Sequence, residues 1–126
     1  MLDRSDLVAF VSTTDLERAR QFYEGVLNLR VVDANPVALV IDAHGTQLRI
    51  TQVDELHPQP FTVLGWKVAD MVATIDALCE RGVRFNEYDG MPQDELGIWT
   101  TPDGSLVAWF TDPDGNTLSL TQSATS

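Results

Sequence analysis

The sequence predicts an α+β fold: two βαβββ modules, each a curved mixed sheet with its helix on the outside. Three observations predict it. Val37 to Gln52 and Val107 to Gln122 are near copies, held a constant 70 positions apart, with Val, Ala, Asp, Gly, Leu, Thr and Gln recurring at matching places. Each copy reads as strand, tight turn, strand. Ahead of each copy, a β-rich run leads into an amphipathic helical pattern. A duplicated unit implies pseudo-twofold symmetry, and symmetric halves tend to build a shared site.

Taken in order, Leu7 to Val11 is a short β-rich run. Thr14-Asp-Leu-Glu17 reads as a capping box, and Ala19, Phe22, Tyr23, Val26 and Leu27 follow at helix spacing as one apolar face. Leu29 to Val32 and Val37 to Ile41 are strands broken by Asp33 to Pro36, Ala43 to Gly45 is a turn, and Gln47 to Val53 is a further strand. A polar, two-proline linker, 54–60, separates this first module (1–53) from the second (61–123). There Phe61 to Val68 is a strand. Asp70 caps a helix whose buried face is Met71, Ile75, Leu78 and Cys79, and Gly82 ends it. Val83 to Phe85, Val107 to Thr111 and Thr117 to Gln122 are the remaining strands. The last two flank Asp112-Pro-Asp-Gly-Asn116, whose Pro presets φ and whose Gly and Asn accept positive φ. The helix caps Asp15 and Asp70 stand only 55 apart, so the second copy carries about 15 additional positions between helix and third strand. This extension, within 86–104, reads either as a pocket wall or as a longer hairpin.

Composition narrows the function classes. The 126 residues suit one domain or two small halves sharing a core. A net charge of −11 argues against nucleic acid and against anionic membrane surfaces, both of which call for clustered Lys and Arg. No apolar run approaches the ~20 residues of a membrane span. The acidic start, Met1 to Asp6, is unlike a signal peptide, and the single Cys79 suits a reducing compartment, so a cytoplasmic location is expected.

Asp15 to Leu27 and Asp112 to Leu118, set in duplicated βαβββ modules, resemble the vicinal oxygen chelate superfamily, which holds glyoxalase I, extradiol dioxygenases, fosfomycin-resistance enzymes and bleomycin-binding proteins. The resemblance covers nearly the whole chain. It implies function at four positions, on the first and last strand of each module. There, metal-binding members carry His, Gln or Glu around a divalent ion. Carried onto this sequence, those positions are Val8, Arg49, Val63 and Ser119. Valine has no donor atom and arginine no lone pair. Neighbouring Leu7, Ala9, Thr62 and Leu64 do no better. No metal and no cofactor are therefore expected.

The remaining candidates are weighed residue by residue. Arg49 stands in an apolar strand. It is either a structural ion pair with an acid on a neighbouring strand or an anchor for a ligand carboxylate or phosphate. Trp66, Trp99 and Trp109 all fall in the second module, where they serve as core or stack flat ligands. Val8, Phe10 and Val63 would supply apolar lining, with Ser119 beside them. His44 in a turn and His57 in the linker do not show metal spacing. Asp94 and Glu95 lie on the extension near Trp99, either as solvated acids or with Glu95 as a base. Cys79 reads as core packing. No catalytic residue is identified.

The leading expectation is a metal-independent, small-molecule-binding homodimer, holding an apolar or aromatic ligand in the cup between modules. The modules would pair within one chain or between two. Two alternatives stand beside it: a glyoxalase-like lyase or dioxygenase whose divalent metal is held by unrecognised ligands or by a second chain, and a structural or regulatory dimer without a pocket.

Overall fold

The computed structural model describes residues 1–124 and divides into two compact units, Met1–His57 and Pro58–Ser126. The first unit opens with a short 3-10 turn, Leu2–Arg4, and continues with β1 (Val8–Thr13), α1 (Leu16–Arg20), β2 (Arg30–Ala34), β3 (Ala38–Ala43) and β4 (Thr46–Gln52). The second unit holds β5 (Thr62–Lys67), α2 (Met71–Glu80), β6 (Trp99–Thr100), β7 (Leu106–Thr111) and β8 (Thr117–Gln122). The sheet orders are the same: β1-β4-β3-β2 and β5-β8-β7-β6. In each, the first strand runs parallel to the last, and the remaining pairs are antiparallel.

The first helix starts one residue later than the capping box suggests. Asp15 is the cap, its carboxylate accepting from Arg18 N at 3.1 Å, while Thr14 Oγ1 accepts from the Arg18 guanidinium. A carboxylate is the stronger acceptor for exposed helix N–H groups. Asp70 does the same for α2, accepting from Ala73 N at 3.1 Å. The helical path continues through a wide π turn, Gln21–Val26, and ends where Asn28 takes φ 61.

Each sheet buries the face that its helix covers. In the first unit Leu39, Ile41, Leu48 and Ile50 are register neighbours on one face, and all are buried with Ala19 and Tyr23. In the second unit Ala108, Phe110, Leu118 and Leu120 repeat that set, buried with Met71 and Ile75. The repeat holds at 70 positions for β4 and β8, but the longer second turn shifts β7 by one: Ala108 and Phe110 take the places of Leu39 and Ile41, not of their sequence counterparts Ala38 and Val40.

Two expectations are corrected. Val83 to Phe85 is not a strand: Phe85 alone bridges Phe110, after which Asn86 N donates to Trp109 O at 2.7 Å. The chain then turns away, and the edge position beside β7 passes to Trp99–Thr100 of the extension. Cys79 is exposed rather than core. α2 is buried only at Met71 and Ile75, and its C-terminal half stands against an open cleft instead of the sheet.

Candidate functional site

Strand alternation sorts the candidates by face. In the first unit, Phe10 of β1 and Val40 of β3 are the register partners of Arg49 on either side. All three lie on the face opposite Leu48 and Ile50. Val8 lies two residues along β1 on the same face, beside Gln47. This face is open in part. Phe10 is 61% exposed and Val8 37%, whereas Val40 is buried.

Arg49 is half-buried there, and its guanidinium has no ion-pair or hydrogen-bond partner among the described residues. The structural alternative, an acid on a neighbouring strand, is not what these strands supply. Asp42 pairs instead with Arg30 at 3.9 Å, and Asp33, beside Val40, makes no ion pair among the described residues. Arg49 lies beside Phe10 and Val40 with part of its side chain covered and no counter-ion among the described residues. An incoming anion would supply it, and the planar fork suits a carboxylate or phosphate.

In the second unit, Trp109 is the register partner of Ser119, and Gly65 flanks Ser119 on the other side. Trp99 pairs with Val107, two residues from Trp109 on the same face. The rings meet: Trp99 and Trp109 have centroids 6.2 Å apart, and Tyr88 packs edge-on against Trp109 at 5.6 Å. The three aromatics form one half-exposed cluster on the face away from α2. Sequence reading found Trp99 and Trp109 but missed Tyr88. Its only signal was its place on the extension.

Trp66 falls on the other face. It pairs in register with Leu120 and stacks on Phe110 at 6.4 Å, on the side of the buried core. Val63 sits at a register irregularity between Thr62 and Leu64 and is 42% exposed. The structure therefore gathers Val8, Phe10 and Arg49 on one face of the first unit, and Trp99, Trp109 and Ser119 on one face of the second.

The donor chemistry for a metal does not fit. Among the described residues no group of three His, Cys, Asp or Glu side chains converges. Val8, Val63 and Arg49 offer no lone pair, and Ser119 is a weak neutral donor. His44 is exposed at the hairpin tip with φ 52, and His57 is exposed with Nε2 3.1 Å from Glu55. Asp94 is occupied in its own turn, accepting from Leu96 N and Ile98 N, while Glu95 is exposed on the opposite side of the extension from the Trp cluster, beside Val83 and Phe85.

Comparison with known proteins identifies the family and the fold. Residues 6–120 match the family model described as the Glyoxalase/Bleomycin resistance protein/Dioxygenase superfamily. No curated protein matches. Among solved structures, a superfamily member from Sphaerobacter thermophilus has TM-score 0.74 at 23% identity, covering 98% of this chain and 100% of that one. TnmS3, an antibiotic binding protein from a Streptomyces species, has TM-score 0.72 at 23% identity, covering 98% and 99%. A lactoylglutathione lyase from Agrobacterium tumefaciens has TM-score 0.70 at 17% identity, covering 94% and 93%. These similarities carry the fold. They do not carry an activity.

Proposed function

Since the chain belongs to the Glyoxalase/Bleomycin resistance protein/Dioxygenase superfamily, we propose that it is a metal-independent member that binds a small aromatic or apolar molecule bearing an acidic group. The observation that carries the reading is Arg49: a half-buried residue whose guanidinium has no partner among the described residues, between Phe10 and Val40 on a partly open sheet face. Arg49 anchors the acid. Phe10 and Val8 line its surroundings with exposed apolar surface, and the Trp99–Trp109–Tyr88 cluster gives the second unit a face suited to stacking flat rings. The antibiotic binding protein among the structural neighbours shows that this fold serves binders as well as enzymes.

The same reading makes the protein a homodimer acting in the cytoplasm. Leu7, beside β1, and Phe61 and Val63, at β5, are large apolar side chains between 42% and 74% exposed, surface that a second copy of the chain would cover. The exposed thiol of Cys79 persists unpaired in a reducing compartment.

The test is binding of 8-anilinonaphthalene-1-sulfonate, an aromatic anion that fluoresces on burial, by native protein and Arg49→Ala. The reading expects about tenfold weaker binding in the variant, the loss of one charge-assisted contact, with Tm within about 1 °C of the parent. Equal binding by both proteins removes Arg49 from recognition. A large fall in Tm makes it structural.

A further inference from the structure

The second unit contains a cleft on the side of its sheet away from Trp109. Ile75 and Cys79 of α2 form one wall, Val83 and Phe85 the floor, and Leu96 and Gly97 of the extension the other wall. Its volume is about 360 Å³, within the range of small-molecule sites. Charged groups at the cleft are Glu87, Glu95 and Arg84, all exposed, and none is paired among the described residues.

The wall supplied by the extension is preformed. Gln93 crosslinks it: its Nε2 donates to Asn86 O and Gly97 O, both at 2.9 Å, and its Oε1 accepts from Tyr88 N at 2.7 Å. Asp94 fixes the next turn by accepting from Leu96 N at 2.8 Å and Ile98 N at 2.9 Å. Gly97 is buried at φ 87, a conformation side chains resist, and a Cβ there would come within 3.5 Å of Phe85 Cβ. Ile98 behind it is buried. A wall held this firmly costs little further ordering when a ligand arrives. The first unit has no counterpart to the extension, so the shared βαβββ fold does not require this wall.

We infer that the cleft behind α2 is a second binding site, distinct from the Arg49 face, for a small apolar molecule carrying an ammonium group. The floor and walls offer Ile75, Val83, Phe85 and Leu96 to an apolar body. Two unpaired carboxylates outnumber one guanidinium at the mouth, on a chain of net charge −11, so the local field favours a cation over an anion. The site does not depend on Arg49.

Cys79 lines the cleft, is exposed, and is the chain's only cysteine, so its alkylation reports occupancy. The rate of N-ethylmaleimide labelling is measured with increasing phenethylamine, 2-phenylethanol or 3-phenylpropionate, which share a ring and differ in charge. The amine is expected to protect Cys79 at concentrations about three- to fivefold lower than the alcohol, as one exposed ion pair allows, and the acid least. The Glu87→Gln/Glu95→Gln double variant, altered only at exposed positions, brings the amine level with the alcohol. Arg49→Ala leaves protection unchanged. Absence of protection, equal protection by all three probes, or an amine preference that survives in the double variant overturns the inference.

Discussion

Gly65 lies so close to Ser119 that a Cβ placed on it would stand 2.8 Å from Ser119 Oγ and 3.3 Å from Ser119 O. The equivalent pair in the first unit is Phe10 beside Arg49. One unit thus presents a large ring beside a cation, and the other an absent side chain beside a small buried hydroxyl. Gly65→Ala is expected to destabilise the protein by about 1–2 kcal/mol, lowering Tm by several degrees. Ser119→Ala removes the nearer obstacle, so the double variant should recover much of that loss in thermal denaturation. Additive losses would show that Gly65 is needed for its backbone and not for the space it leaves.

The duplicated turn aspartates make a matched experiment. Asp112 is 6% exposed. Its Oδ1 accepts from Asp114 N and Asn116 N, and its Oδ2 from Asn116 Nδ2, at 2.9 to 3.0 Å. Asp42, its sequence counterpart in the first hairpin, lies at the end of β3; among the described residues it accepts from Gly45 N at 2.9 Å, beside a long, exposed pair to Arg30. Asp112→Ala is expected to cost about 2–3 kcal/mol, because several buried donors lose one acceptor. Asp42→Ala should cost under about 1 kcal/mol. Chemical denaturation of both variants checks the ranking, and equal losses would refute it.

These two positions also show how far the sequence is legible. Asp42 and Asp112 align in the repeat, so the existence of both hairpins and the core set Leu48, Ile50, Leu118 and Leu120 follow from the letters alone, whereas the pairing of β7 is shifted by one residue relative to β3 by the longer second turn. The different burial of the two aspartates does not, because it depends on loop length and on Asn116 folding back. The sheet face of Trp66 is likewise hidden. β5 slips register near Val63, and a one-residue irregularity decides which side a following side chain takes. Arg49 is recognisable as an odd cation in an apolar strand, but its lack of a partner is visible only once Asp42 is seen engaged with Arg30. Cys79 follows the helical period of Ile75 and still misses the core, since periodicity cannot tell where the covering sheet stops.

Asp103 caps the turn before β7. It accepts from the Thr101 hydroxyl and from Ser105 N, and these hydrogen bonds, Thr101 foremost, hold its carboxyl below the ordinary aspartate range. A depressed folded pKa makes this contact stabilising above the unfolded aspartate pKa, near 3.9, and the contribution fades as pH falls through the folded value. An NMR titration of the Asp103 side chain should therefore show a low midpoint that moves up in Thr101→Val. A midpoint unmoved by that substitution would assign the shift elsewhere.

The last prediction concerns metal ions, and it follows from donor atoms. A tight divalent site needs three or more imidazole, thiolate or carboxylate ligands fixed around one point. The four positions implied by the family resemblance hold Val8, Arg49, Val63 and Ser119, and Arg49 adds a positive charge where a cation would have to sit. Its Coulombic opposition alone weakens any ion within a few Å. Chelator-stripped protein titrated with Zn, Ni, Mn, Fe(II) or Co should thus keep its Tm, because only a ligand that binds the folded state raises it. Arg49→Glu reverses the local charge but supplies one donor, so it should gain at most weak, non-selective stabilisation by these ions. A strong, saturable rise in the native protein with one metal would show that other side chains converge on an ion, and would move the functional reading from a binder to a metal-dependent enzyme.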